Sequence, residues 1–559
     1  MPNYCSEPLT AMHCLNGMPC ELRHVPSVSR CVPGTSGDGA AGFVSMNPST
    51  FSGSFHLSNA GSPGNKQGST CRIIDILDFF FVAHPNSGRK EGRENERIFY
   101  YNSPKSESLE KQTQVTGFAE AVVNFTENFT EKWDESEFSH RYVYTTKQLH
   151  VYILVESAEY IIGAGLNKQV LPFYCLLELS AKENYVLRGS AIRAILITAY
   201  KMFRLFFGSF SRLMLSNPVH LKDRLEYFFS RFLPQFRLHR MPLLDLFSGI
   251  DFLSLDSTNY LRIENFLDQL AEEFPQISKT AFFYRERLIT HTVSKTDLPV
   301  LIRYLTQNLL NKSLKEELQP EKVRNYINGC TWRKDRCFRS FRKESGHHGK
   351  FLTGPMVSAK NLSQNDKYDV RLPIVYLCDD TNNERRLVPY ELVVYRALNA
   401  TVCLFLQKSA DLAFLQRLDN YLGPELSVIA SVIGESYGTL NDISSLKEKD
   451  FHFLYFNPES LSLKTSFVEN IDSSRSQNLS SLPTSVYKLI CDTFDDFLEK
   501  EDFGETTTRL DADWWLIIKK VNKRFLLLVL RSNTLTTPAD LQQHVNDIIR
   551  LNFNTIFLF

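Results

Sequence analysis

Apolar runs in this chain come in pairs separated by charged turns, and each pair is followed by apolar residues at helical spacing. Residues 73–82 (IIDILDFFFV) read as a strand. His84, Pro85 and a loop of Gly, Arg, Lys and Glu lead from it into a second strand at Ile98, Phe99, Tyr100 and Tyr101. Phe118, Val122, Phe125 and Phe129 then repeat at helical spacing, which predicts a helix with those four side chains inward. A step of about 100° per residue puts Thr116, Glu120, Val123 and Glu127 on its outward side. A strand at 149–155 extends the sheet, and helices at 191–207 and 221–232 follow, the second entered after Pro218 and stopped by Pro234. The compact apolar stretch 243–250 is expected to dock on this sheet, and a helix at 264–274 to close the unit.

The same opening recurs twice. Ala281, Phe282, Phe283 and Tyr284 lead through a charged turn at 285–287 into Leu288 and Ile289. A helix at 298–310, strands at 372–378, 392–395 and 402–406, and a helix from 411 to about 434, broken near Gly423 and Pro424, complete that unit. The third unit starts at Phe451. Val486, Ile490, Phe494 and Phe497 mark its helix, and strands at 514–518 and 525–530 form a hairpin turning at 521–523. Thr537 as N-cap, Pro538 and Asp540 start a last helix with Leu541, Val545 and Ile548 inward. Residues 556–559 read as an edge strand or tail. The fold class is therefore α/β in the α+β sense: three mainly antiparallel sheets flanked by helices, at 71–278, 279–440 and 450–559.

Composition changes this picture in two places. Residues 1–70 are rich in Gly, Ser, Pro and Asn without apolar periodicity, so they read as a disordered leader. The GxGxxG string from Gly37 to Gly42 lies inside it, with no strand before and no helix after, and carries no dinucleotide site. The second place is a basic insertion at 311–371, where Arg333, Lys334, Arg336, Arg339, Arg342, Lys343 and Lys350 face Asp335 and Glu344. Trp332, Phe338 and Phe341 are interleaved with them. The segment is either a solvated insertion or a contact for acidic phospholipids, each base there contributing about 1 kcal/mol.

The remaining chemistry is mostly exclusion. Lys plus Arg and Asp plus Glu are both 63, so no global field favours nucleic acid or membrane. The 11 cysteines include no CxxC, and Cys330, Cys337, His347 and His348 lack zinc spacing, so neither metal nor cofactor is expected. Residues 191–207 carry Arg193, Lys201 and Arg204 and read as a buried amphipathic helix rather than a membrane span. Phosphate loop, HExxH, GxSxG and EF-hand patterns are absent, which points away from an enzyme.

Several strings together resemble one family. They are the hairpin from His84 to Tyr101, 221–229 (LKDRLEYFF), 243–256 (LLDLFSGIDFLSLD), 280–284, 349–355 (GKFLTGP), Arg417-Leu418-Asp419, Gly423-Pro424 and 453–458. In this order they resemble the vacuolar fusion protein Ccz-one family over about 71–559. The leader, the stretch 157–187 and the basic insertion depart from its pattern. The resemblance implies three longin domains and a heterodimer with a Mon-one family protein. It further implies that the pair is a guanine-nucleotide exchange factor for the late-endosomal and lysosomal GTPase Rab-seven. Such a chain is cytoplasmic and peripherally recruited to late-endosome and lysosome (vacuole) membranes. Exchange needs no covalent chemistry, because displacing the GTPase switch regions raises nucleotide off-rate. Transferred to this chain, the first domain meets partner and GTPase through Ile98, Phe99, Tyr100 and Tyr101 and through Thr116, Glu120, Val123 and Glu127. The alternative is a three-longin scaffold that binds a GTPase without exchange, since the fold serves both.

Overall fold

Three sheets repeat one strand order. The computed structural model describes residues 72–127, 138–167, 189–236, 247, 249–306, 349–352, 356–357, 370–379, 386–437, 451–467, 490, 504–511, 514–531 and 538–552. The leader, most of the basic insertion, Phe129, Val486, Phe494, Phe497 and residues 556–559 therefore lie outside the described residues.

In the first sheet, β1 (Leu77–Ala83) and β2 (Ile98–Asn102) are followed by α1 (Leu109–Glu127), β3 (His140–Tyr144), β4 (Gln148–Val155) and β5 (Tyr160–Asn167). The order is β2-β1-β5-β4-β3, antiparallel throughout. α1 crosses one face, while α2 (Gly189–Phe207), α3 (Phe210–Ser216) and α4 (Pro218–Gln235) cover the other. β1 is buried on both faces, so Phe80 and Val82 pack toward α2 and α4 while Phe79 and Phe81 pack toward α1. The Phe81 ring lies against Gly163 and the Phe79 ring against Gly165 of β5, where an added Cβ would come within 2.4 and 2.2 Å of ring carbons. Gly165→Ala is accordingly expected to lower stability by about 1–3 kcal/mol through overpacking, read from its chemical denaturation midpoint. Pro234, expected to stop α4, sits inside its last turn.

The second unit opens earlier than the hydrophobic pattern suggested. α5 (Ser257–Glu273), expected at 264–274 as the close of the first unit, starts at an Asp256 cap whose Oδ2 accepts from the Asn259 N–H at 3.1 Å. Its Ile263, Phe266 and Leu270 pack on the second sheet. That sheet is made by β6 (Ile277–Tyr284) and β7 (Arg287–His291), then, after α6 (Leu298–Tyr304), by β8 (Gly349–Phe351), β11 (Ile374–Asp379), β12 (Arg386–Ala397) and β13 (Ala400–Leu406). A separate two-stranded ladder joins β9 (Met356–Val357) to β10 (Val370–Arg371). The main order is β11-β12-β13-β6-β7, with β8 on β12. α7 (Leu412–Tyr437) runs unbroken through Pro424, because Leu422 and Leu426 on either side are fully buried and hold the helix across the lost hydrogen bond.

The first two sheets share one core. Phe203 of α2 lies in the same buried cluster as Leu301 of α6, Phe283 of β6 and Phe405 of β13. This explains why no residue of α2 is exposed although it carries Arg193, Lys201 and Arg204: it is sandwiched between two sheets. One buried ion pair crosses the junction. Arg204 Nη2 lies 2.6 Å from Asp297 Oδ1, and Asp297 Oδ2 accepts the Cys378 N–H at 2.5 Å. Burial is the largest influence and opposes the charge on Arg204, but Asp297, Cys378 and Tyr200 together outweigh it and raise the guanidinium pKa.

The third sheet follows the same plan with β14 (Phe451–Asn457), β15 (Ser462–Thr465), β16 (Gly504–Asp511), β17 (Trp514–Val521), β18 (Arg524–Arg531) and α8 (Pro538–Asn552). Its order is β15-β14-β18-β17-β16. Asn522 and Lys523 turn the β17–β18 hairpin at φ of 49° and 64°, the left-handed pair that a two-residue turn needs. Phe247, expected against the first sheet, packs instead on Phe456 at 4.5 Å between ring centroids. The chain then threads between the second and third sheets. Ile250 N–H donates to Leu461 O at 2.7 Å, and Leu253 N–H to Leu288 O at 2.8 Å. Asp251 between them takes Arg287 at 3.1 Å and Lys464 at 2.5 Å. Among the described residues no helix is long and apolar enough to cross a membrane.

Candidate functional site

Because α2, α3 and α4 are turned toward the second sheet, α1 is left on the outer face of the first domain. Its orientation is set at three points. Ser108 Oγ accepts the Lys111 N–H at 3.3 Å, and the Tyr101 hydroxyl of β2 donates to Glu107 Oε2 at 2.5 Å. Burial, then Glu107, raises the Tyr101 pKa, so the phenol stays protonated. In mid-helix Glu120 pairs with Arg97 at 2.5 Å, and Arg97 Nε also donates to Glu94 O at 2.9 Å. Near the far end the Arg141 Nε of β3 donates to Thr126 Oγ1 at 2.5 Å.

These anchors put Thr116, Ala119 and Val123 against the sheet, where they are 1%, 0% and 7% exposed. Phe118 and Phe125 point away at 45% and 50%. The expected facing of α1 is therefore reversed: Thr116 and Val123 are core residues, Glu120 is held by Arg97, and Glu127 stays exposed at the helix end. The physical reason is bulk. Phe79, Phe81 and Tyr152 fill the inner face of the sheet, so only small side chains fit beneath the helix. The strand half of the expected site is corrected as well. Ile98, Phe99 and Tyr100 are buried at 9%, 6% and 3%, and only Tyr101 of the four is half-buried. β2 can meet a partner through its outer edge or through Tyr101, not through those three side chains.

What α1 presents instead is Phe118, Ala121, Val122 and Phe125, spaced so that all four lie along one side of the helix. Val122 is partly covered, Ala121 exposed. Phe118 leans edge-on toward His150 at 6.1 Å between ring centroids. His150 sits between the Tyr152 hydroxyl and Gln148 Oε1, both at 3.0 Å, and burial lowers its pKa, which keeps the ring beneath the stripe uncharged near neutrality. Such a surface offers apolar contact and no nucleophile–base pair. Size, rather than periodicity, was the usable signal: Phe79 and Phe81 of β1 and the two glycines of β5 together leave no room for Phe118 inward.

The candidate lipid-binding residues Arg333, Lys334, Arg336, Arg339, Arg342 and Lys343 lie outside the described residues. Among the described residues no three His, Cys, Asp or Glu side chains are grouped to hold a metal.

Comparison with known proteins matches each sheet to a family model. Residues 77–208 match the first longin domain of INTU, CCZ1 and HPS4, residues 277–423 the Intu longin-like domain 2, and residues 447–548 the Intu longin-like domain 3. The vacuolar fusion protein CCZ1 homolog of Xenopus laevis is 29% identical over 499 residues, covering 88% of this chain and 98% of the relative. That of Nematostella vectensis is 28% identical over 486 residues, covering 86% and 97%. The Dictyostelium discoideum homolog is 24% identical over 240 residues, covering 41% and 51%.

Proposed function

The chain belongs to the vacuolar fusion protein CCZ1 family and is built from three longin-like domains, and from that premise we propose that it is one subunit of a heterodimeric guanine-nucleotide exchange factor. Its partner is a Mon-one family protein and its substrate the late-endosomal and lysosomal GTPase Rab-seven, at the vacuole-related membranes to which the complex is peripherally recruited. The observation that carries the reading is the apolar stripe Phe118, Ala121, Val122 and Phe125 on the outward side of α1 in the first domain. Two phenylalanines about half exposed on a rigid helix suit a protein interface, where aromatic anchors dominate binding energy. The partner's first domain covers this stripe, and the GTPase docks across the resulting pair.

The chain acts without a reactive centre. Exchange is a population shift: the complex binds the GTPase with its switch regions displaced more tightly than the nucleotide-closed form, and GDP leaves faster. Purified chain plus Mon-one partner is expected to accelerate release of labelled GDP from Rab-seven, with neither subunit sufficient alone. Assembly with the partner but no acceleration would leave a scaffold that binds GTPases without exchanging them.

A further inference from the structure

Each sheet ends on one side with the third strand of its repeat: β3, β11 and β16. Such edges are liabilities that proteins blunt by shortness, charge, or cover. β3 is only five residues long, and its Arg141 is turned inward onto Thr126 Oγ1. β11 is covered, since Asp297 takes its Cys378 N–H at 2.5 Å and Val375 and Leu377 lie in the core shared with α2. β16 differs from both. It has eight residues, GETTTRLD, and nothing among the described residues lies beyond it in the strand order. A bulge between Arg509 and Asp511 confines its regular part to Gly504 through Arg509. That part contains no proline and no lysine, and three consecutive threonines favour extended backbone.

The order of side chains along this edge reads as its own complement. Laid antiparallel against a second copy with Thr507 opposite Thr507, Thr506 meets Thr508, and Glu505 meets Arg509 on both sides of the axis. Glu505, Thr507 and Arg509 are the exposed residues of the strand, on the face where Glu505 already lies 3.5 Å from Lys519 and Arg509 lies over the Trp515 ring. Gln542 of α8 also donates to Glu505 Oε1 at 3.2 Å, so both charges of the motif are already seated on the face along which the pairing would run. We propose that β16 is a homotypic interface: two copies of this chain join edge to edge through their third sheets. The pairing forms one continuous ten-stranded sheet, with two Glu505–Arg509 cross-strand pairs fixing its register. The interface lies in a different domain from α1, so each copy can hold a partner on α1 while so joined.

Sedimentation equilibrium on the full-length chain tests this, with circular dichroism as a folding control. Wild type is expected to show reversible monomer–dimer association. Glu505→Arg and Arg509→Glu alone each oppose like charges across the axis and are expected to weaken association about tenfold or more. Mixing the two single variants restores complementary pairs in the mixed dimer, and the double swap Glu505→Arg, Arg509→Glu restores them in the self-dimer. A wild-type chain that stays monomeric overturns the proposal. So do single variants that associate as tightly as wild type, or a mixture that does not recover. If the single variants instead lose capture of the Mon-one partner, the edge serves a different strand and the proposal also fails.

Discussion

Replacing Phe118 and Phe125 together by aspartate is expected to abolish capture of the Mon-one partner while leaving the first domain folded. Both side chains are about half exposed, at 45% and 50%, so the change removes little buried area from the monomer. At a protein interface the same rings would be buried, and aromatic anchors typically contribute about 2 kcal/mol or more each. Losing two and inserting two carboxylates corresponds to a fall in affinity of at least about 100-fold. The measurement is titration of the purified variant against the partner, with thermal denaturation beside it. Unchanged melting with lost binding is the expected pair of results; unchanged binding would remove α1 from the interface. Val123→Asp is the informative contrast. Val123 is 7% exposed and packs with Phe81 and Tyr152, so a carboxylate there strikes the core and should lower stability first. GDP release would then fall in both variants, but only the surface pair separates recognition from folding.

The contrast also marks how far the sequence could be read. Strand pairs and their threefold recurrence were legible, because alternating burial and charged turns are local signals; β17, Asn522, Lys523 and β18 are an example. What was not legible depended on what each element packs against. α1 carries apolar residues on two sides, and periodicity alone favours the larger ones inward. Only the filled inner face of the sheet reverses that choice. α5 looked like a closing helix because it follows the first unit in sequence, yet Phe266 stacks toward Tyr421 of α7 on the second sheet. Ile250 to Leu253 show the same limit. A short apolar run has no period long enough to say which sheet it joins, and this one joins two.

The second large effect is expected at the junction of the first two domains, where Asp297→Ala should lower stability by about 3–5 kcal/mol. Asp297 is 5% exposed and Arg204 13%, and the carboxylate also receives the Cys378 N–H. Deleting it strands a buried guanidinium and an edge-strand donor in one step, which is why the loss exceeds that of an exposed ion pair. Asp297→Asn separates the two contributions: its side-chain oxygen can still accept from Cys378, but the charge opposing Arg204 is gone. Urea denaturation followed by tryptophan-independent circular dichroism would rank wild type above Asn and Asn above Ala. Adding Arg204→Met to Asp297→Asn should recover most of the loss, because an apolar side chain beside the Tyr200 ring needs no counter-charge. Since Phe203, Leu301 and Phe405 belong to one continuous core, the two domains should unfold in a single transition in wild type. Asp297→Ala should split it, the first sheet and the second losing structure at different urea concentrations. A single transition shifted by less than about 0.5 kcal/mol would mean that apolar packing alone holds the junction.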